Sequence, residues 1–278
     1  MTFDELMELS EEEFINYDFK REVFDLRNLI YDEKNPIANI ILYKGNIYGS
    51  QSDCDRLPLT LEIYKRLWGN QFEFWNTKQT DFVEANGETM NSFVTPYKAF
   101  YKETYDLSNP IFKDYAKLTH TVGNFIPVYA IKNNKNWFSP FNSKRYKSTY
   151  DYWDLTLNHI KVILNDFMNS NDSIEIFLEN TMNNNTFKYK KYIIESAKWI
   201  LSFKTWPNFV EKNFLQSFLE NPKDLTSEPK EFWRNHFKGT VSTKDENNLS
   251  EFLTFVNQAI LERSSLIYKQ LKLNYEFL

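Results

Sequence analysis

The sequence predicts a mainly α fold of the α+β class: a single helical domain over residues 1–278 carrying a small antiparallel β element. Three observations predict it. Apolar residues recur at helical spacing through most of the chain. Glycine is scarce, only 6 residues, which leaves few of the tight turns that hairpin-rich sheets need. Aromatic residues make up 18% of the chain, with 25 Phe and 17 Tyr, so the core is expected to be built of rings. With 42% hydrophobic and 26% charged residues the composition is that of a globular protein. A length of 278 residues fits one large core, and no linker is long or low-complexity enough to divide it.

Taken in order, residues Thr2 to Asn16 predict one or two short amphipathic helices, with Leu6, Leu9 and Phe14 on the apolar stripe and Ser10 as N-cap before Glu13. Phe24 to Tyr31 reads as helix, stopped by Asn35-Pro36. Ile37 to Gly49 is rich in β-branched and aromatic residues and is broken by Lys44-Gly45-Asn46, which predicts a β-hairpin. Pro58 to Trp68 is helical, with Leu59, Ile63, Tyr64 and Leu67 inward and Gly69 as C-cap. Residues 71–76 alternate like a short strand, and Asn86-Gly87-Glu88 reads as a turn.

Asn109-Pro110 starts a helix that buries Ile111, Tyr115 and Leu118 and ends at Gly123 in a left-handed cap, with His120 in its last turn. Residues 125–131 are apolar and extended, with Pro127 arguing against a central strand. Ser148 caps the clearest helix, whose stripe is Trp153, Leu157, Ile160, Leu164 and Phe167. Helices are then expected from Ser173 to Asn180, Phe187 to Phe203, Asn208 to Glu220 and Asn248 to Leu271.

Charge and motifs exclude several classes. A net charge of −5 and a pI near 5.4 give no global basic field for nucleic acid or an anionic membrane. The single Cys54 rules out an intramolecular disulfide and a cysteine-rich zinc site, and reads as a reduced thiol. The acidic N-terminus is unlike a signal peptide and no apolar run is long enough to span a membrane, so a cytoplasmic location is expected. P-loop, GxGxxG, HExxH, GxSxG and CxxC motifs are all missing from the sequence.

The polar residues concentrate between Lys117 and Leu157. His120, with Gly123 and Asn124, stands where a helix dipole favours the imidazolium, which suits a general acid or an anion grip; capping of the last carbonyls, with Asn124 satisfying the next turn, is the other reading. Lys144, Arg145 and Lys147 precede a helix N-terminus and could bind phosphate or carboxylate, while Tyr146, Tyr150 and Tyr152 could stack on bases; alternatively they form a solvated loop over packed rings. Asp151 and Asp154 share a helix face and could divide acid and base roles, or serve as a capping acid and an Arg145 partner. Asp53, Asp55 and Arg56 lack a calcium-loop pattern, and His236 stands too close to Arg234 for a ribonuclease-like pair. The candidate set is therefore His120 and Asp154 for catalysis and Asn124, Lys144, Arg145 and Tyr152 for binding, with no metal ligands.

The blocks Thr89-Met90-Asn91-Ser92-Phe93, Leu118 to Phe125 and Tyr152-Trp153-Asp154-Leu155, preceded by the Tyr64 to Trp68 helix end, carry a resemblance. In their order and spacing the chain resembles an uncharacterised family of bacterial hypothetical proteins from low-GC and gut bacteria. The resemblance implies a bacterial or phage origin and carries no activity across. The family's loop before the Tyr-Trp-Asp block is richer in glycine and arginine than Asn142-Ser143-Lys144-Arg145, which weakens the case for a preformed anion cradle there.

Two functions are expected from these readings. One is a non-enzymatic binding or inhibitory protein that occupies a macromolecular partner, a protein or protein–nucleic acid complex. Phage–host conflict, anti-CRISPR action included, is the natural setting for such an Asn/Lys/Phe-rich chain. The other is an enzyme or ligand binder acting on a phosphate- or carboxylate-bearing small molecule or nucleic acid through His120, Asn124, Arg145 and Asp154. The sequence names no cofactor.

Overall fold

A 31-residue helix, about 46 Å long at the usual rise, runs through the described residues near the end of the chain and carries several of the other elements. In the computed structural model the residues described are 1–46, 54, 57–69, 87–92, 106–133, 136–138, 153–183, 197–231 and 246–276. Among them the helices are α1 (Phe3–Glu8), α2 (Glu11–Ile15), α3 (Lys20–Leu26), α4 (Pro36–Asn46), α5 (Pro58–Trp68), α6 (Pro110–Leu118), α7 (Trp153–Ser170), α8 (Ile174–Asn183), α9 (Ala197–Ser202), α10 (Trp206–Lys212) and the long α11 (Glu246–Glu276). The strands are β1 (Gly87–Ser92), β2 (Phe125–Asn133) and β3 (Asn136–Phe138). The protein is mainly helical, as its periodicity predicts.

α11 buries Leu249, Phe252, Leu253, Val256, Ala259, Ile260, Ile267 and Leu271 along one stripe. Against it pack α2, α5, α6 and the 3-10 turns Val122–Asn124 and Gln216–Phe218. The rings expected of the core are there: Trp199, Phe203, Trp206 and Phe209 form one nest, with Trp206 stacked on Phe209 at 5.9 Å and the others edge-on. No helix among the described residues is long and apolar enough to cross a membrane.

At the N-terminus Thr2 and Ser10 each close a capping box, with Glu5 and Glu13, and so split the stretch into α1 and α2. The third helix lies earlier than predicted, because Asn28 enters the left-handed region at φ 54° and turns the chain out after Leu26.

The predicted hairpin at residues 37–49 is overturned as far as Asn46, for there the chain is α4, and residues 47–49 lie outside the described residues. Asn35-Pro36 opens that helix instead of stopping the one before it: the Asn35 side chain accepts from the Ala38 N–H at 3.2 Å, and Pro36 fills the first helical position. Ile37, Ile40 and Tyr43 recur every three residues and all go inward. That spacing, rewarded by burial, outweighs the β preference of the individual residues.

α5 has the predicted bounds and buries the predicted residues. The sheet is antiparallel, in the order β1-β2-β3, with Gly87 opposite Ala130, Ser92 opposite Phe125 and Asn133 opposite Asn136. β2 is the middle strand, contrary to the expectation raised by Pro127. That proline is opposite Met90 of β1, whereas β3 pairs only with Ile131 to Asn133, so among the described residues Pro127 has a paired strand on one side only, as an edge position does. The strand expected at 71–76 lies outside the described residues.

α6 stops at Leu118 rather than at Gly123. Thr119 Oγ donates to the Tyr115 carbonyl at 2.9 Å, and Thr121 Oγ to that of Leu118 at 3.0 Å, which closes the helix early. Gly123 has no left-handed φ; it is required by close approach. A Cβ at Gly123 would stand 2.2 Å from the Ile260 carbonyl oxygen and from Ser264 Oγ of α11.

In α7 Leu157, Ile160 and Leu164 are buried as predicted, while its expected cap Ser148 lies outside the described residues. The helix expected from Asn208 to Glu220 is broken after α10. Phe214 takes a φ of 57°, and the chain resumes as the turn Gln216–Phe218.

Candidate functional site

His120 follows α6 in the turn that Thr119 and Thr121 close. Its ring lies 4.7 Å from that of Tyr43 on α4 and 6.2 Å from that of Phe125, and the residue is only 1% exposed. Its carbonyl accepts from the Phe19 N–H at 3.0 Å, which joins the start of the chain to the end of α6. Asn124 is wholly buried and donates through Nδ2 to the Thr119 carbonyl at 2.7 Å, the turn-satisfying role open to it from sequence. The structure thus brings His120 and Asn124 into one turn. Asp154 is buried in the first turn of α7. Lys144, Arg145 and Tyr152 lie outside the described residues, as do Tyr146, Lys147, Tyr150, Asp151, Asp53, Asp55, Arg56 and His236. Cys54 is a buried thiol whose N–H donates to the Tyr43 hydroxyl at 3.2 Å.

Buried charges that the sequence does not single out include two arrangements. The first is the pair Asp18 and Lys20, at the start of α3. Lys20 Nζ stands 3.1 Å from Asp18 Oδ2 and donates to the Ala116 carbonyl at 2.8 Å. Asp18 also accepts from the Lys20 N–H at 3.0 Å and from the Tyr31 hydroxyl at 2.5 Å. Burial, with the Asp18 charge beside it, pushes the Tyr31 phenol well above its ordinary range. An acid and a base two residues apart in Tyr17-Asp18-Phe19-Lys20 look like surface charges in sequence; only the fold shows that a helix C-terminus needs the ammonium.

The second is Arg263, buried at the centre of α11. Its Nε donates to the Asn213 carbonyl at 3.0 Å, and Nη1 to the carbonyls of Gly123 at 2.7 Å and Phe125 at 2.6 Å. Nη2 has no acceptor among the described residues. Burial alone pulls the guanidinium down to about 9. Asn213 Oδ1 and Gln216 Oε1 are buried acceptors with no donor among the described residues. The sequence does hold a signal here: Arg263 falls on the apolar stripe of α11, between Ile260 and Ile267, where a charge has no reason to be unless something receives it.

A cleft of about 630 Å³ opens between the end of α5, the break after α10 and the last turns of α11. Leu67, Phe214, Leu266 and Leu273 give it apolar wall; Lys212, Gln216, Lys269, Gln270 and Asn274 give it hydrogen-bonding groups, and Glu211 its carboxylate. The Phe214 ring is held edge-on by Trp68 at 6.0 Å, and Trp68 Nε1 donates to the Lys212 carbonyl at 2.6 Å, so this wall is anchored in the core. Leu273 is half exposed at the lip. Lys269 reaches Glu11 at 3.6 Å and Ser265 also donates to that carboxylate at 2.5 Å, which ties α2 to the same helix. A cleft of this size, with apolar walls and a few convergent polar groups, is built to hold something. Among its lining residues there is no histidine, cysteine or hydroxyl nucleophile. Nor do the described residues gather three metal-ligating side chains anywhere.

No protein-family model matches this chain, and neither a curated protein nor a solved structure does so.

Proposed function

We propose that this protein is a non-enzymatic binder that occupies a segment of a macromolecular partner in the cleft between α5, α10 and α11. The observation that carries this reading is the cleft lining: Phe214, Leu266 and Leu273 to take apolar side chains, amide groups of Gln216, Gln270 and Asn274 to meet a backbone, and Lys212 and Lys269 to favour acidic residues. Lys212 and Lys269 against Glu211 give the lining a cationic character, Lys269 sharing its charge with Glu11 at 3.6 Å, and this favours an acidic segment within a protein of net charge −5. Blocking a partner by occupation is how an inhibitor in phage–host conflict would act.

The test compares wild type with Leu273→Asp and Lys269→Glu. Both changes fall on partly exposed side chains, so unfolding temperatures within a few degrees of wild type are expected. A defined protein retained by wild type, and lost by at least tenfold in affinity with both variants, is the expected result. Equal retention by all three chains, or catalytic turnover that both variants preserve, overturns the reading.

A further inference from the structure

The buried face of α11 does not end where the cleft begins. Leu266, Gln270, Leu273 and Asn274 form the helix's side of the cleft, and Arg263 precedes Leu266 by one turn on that same face. On the opposite wall the order is matched: Asn213, whose carbonyl holds Arg263 Nε, is followed directly by the cleft residues Phe214 and Gln216. Arg263 is not itself part of the lining; it stands three residues before Leu266 on α11 and holds the carbonyl of Asn213, the residue between the lining residues Lys212 and Phe214.

The bonding of Arg263 is incomplete in one direction. A guanidinium has five N–H donors. Three of them reach the carbonyls of Asn213, Gly123 and Phe125, which fixes the plane and points the remaining nitrogen, Nη2, at no acceptor among the described residues. Carbonyl dipoles orient a guanidinium without neutralising it, and no carboxylate among the described residues stands within ion-pair distance. A buried charge without a counter-ion is expensive, by several kcal/mol on general grounds. Near it Asn213 Oδ1 and Gln216 Oε1 are acceptors lacking donors. An unfilled guanidinium nitrogen and two unfilled carbonyl acceptors, one on the cleft residue Gln216 and the other on Asn213, whose backbone carbonyl holds Arg263, are the complement of a carboxylate that has an N–H beside it.

We infer that Arg263 is the anion anchor of the cleft: a carboxylate-bearing ligand, either a free carboxylic acid or the C-terminus of a peptide chain, enters past Phe214 and Leu266 and pairs with Arg263 Nη2. Gln216 accepts from an N–H of the ligand where it has one, as a peptide terminus does. Entry requires the Phe214 segment to yield, and this segment is the break between α10 and Gln216–Phe218, where the backbone already leaves regular geometry at φ 57°. The inference rests on the binding reading of the cleft and adds to it the chemistry of the ligand.

The experiment is thermal unfolding of the full chain at pH 7 in sodium acetate against sodium chloride of equal ionic strength, together with the Arg263 Nε–Hε NMR signal. Acetate is expected to raise the unfolding temperature of wild type saturably, by about 3–6 °C at ten times its dissociation constant, and to shift that signal with the same midpoint. Arg263→Lys keeps the charge but loses the fork, and should lose the saturable rise. Should that variant not fold, Gln216→Ala, at a partly exposed residue, serves in its place with tetra-alanine, whose binding it should weaken several-fold.

Tetra-alanine with a free C-terminus and its C-terminal amide separate the two sources: a response to the free peptide at far lower concentration than to acetate assigns a chain terminus, and equal responses assign any carboxylate. No saturable rise with acetate or peptide, a rise with no movement of the Arg263 signal, or equal responses in wild type and Arg263→Lys each overturns the anchor. Because capture of a partner is tested at Leu273 and Lys269, a failed anchor with capture intact leaves the cleft standing, and lost specificity at those two positions removes the cleft whatever Arg263 does.

Discussion

Lys20 and Arg263, the two most deeply buried cations among the described residues, are accommodated in opposite ways. Lys20 enters the interior with its counter-ion two residues away: Asp18 at 3.1 Å, the Ala116 carbonyl at 2.8 Å, and Tyr31 taking up a further acceptor position on the carboxylate. Arg263 enters with carbonyls alone. The first arrangement is electrically closed, and its product is mechanical: it fastens the N-terminal helices to the C-terminal end of α6, where the helix dipole itself favours a cation. The second is open, satisfied on three donors and unsatisfied on Nη2. A buried charge with a complete partner set is architecture. One with an incomplete set, beside a concavity, is where a ligand completes the structure.

The sharpest way to break this comparison is Lys20→Met. It removes a cation and leaves Asp18 buried with only the Tyr31 hydroxyl and a backbone N–H, a loss of about 3–5 kcal/mol of stability. Chemical denaturation reads it directly. A loss below about 1 kcal/mol would mean that the pair is not closed in the way its geometry says. Next in size is Gly123→Ala. The new methyl meets the Ile260 carbonyl, a backbone group that cannot swing aside, and strains the same turn whose carbonyl holds Arg263, at a cost of about 1–3 kcal/mol. Chemical denaturation measures the loss, and hydrogen exchange of the Arg263 Nε–H reports whether α11 and the Gly123 turn stay in contact.

Much of this architecture is legible in the residues, and what is not fails for identifiable reasons. The cap at Ser10 with Glu13, α5 from Pro58 to Trp68 and the buried stripe of α11 all follow from local chemistry that the fold has no cause to override. The hairpin expected over 37–49 fails because composition was weighed above spacing: Ile37, Ile40 and Tyr43 are β formers set three apart, and burial decides in favour of the helix. Gly123 was legible as special but not for its cause, since close approach to Ser264 involves a residue 141 positions away. The cleft was illegible altogether. Its walls come from α5, α10 and α11, and the break that shapes it, at Phe214, carries neither glycine nor proline to announce a left-handed residue. Of the expected site residues, His120 and Asn124 do share a turn, held by rings and by the Thr119 carbonyl, while the basic loop with Lys144 and Arg145 lies outside the described residues.

The smallest expected effect is the most diagnostic. Arg263→Met deprives the Asn213, Gly123 and Phe125 carbonyls of their donor, at about 1 kcal/mol or more for each acceptor left dry, but it also removes the desolvated charge; the two nearly cancel, for a net change of about 2 kcal/mol or less at pH 7. The pH dependence separates them. A base whose folded value is depressed, here to about 9 from 12.5, binds fewer protons folded than unfolded between those values, so the cost of the buried charge is present below pH 9 and is relieved as pH rises through and above it. Wild type should therefore gain stability relative to Arg263→Met between pH 8 and pH 10, a window chosen to stop before Tyr31 in the folded protein ionises, its phenol being held upward by burial. Denaturation of the two chains across that range checks it. A constant difference would mean that the guanidinium is already neutralised, and the contrast with Lys20 would then disappear, because both cations would be closed.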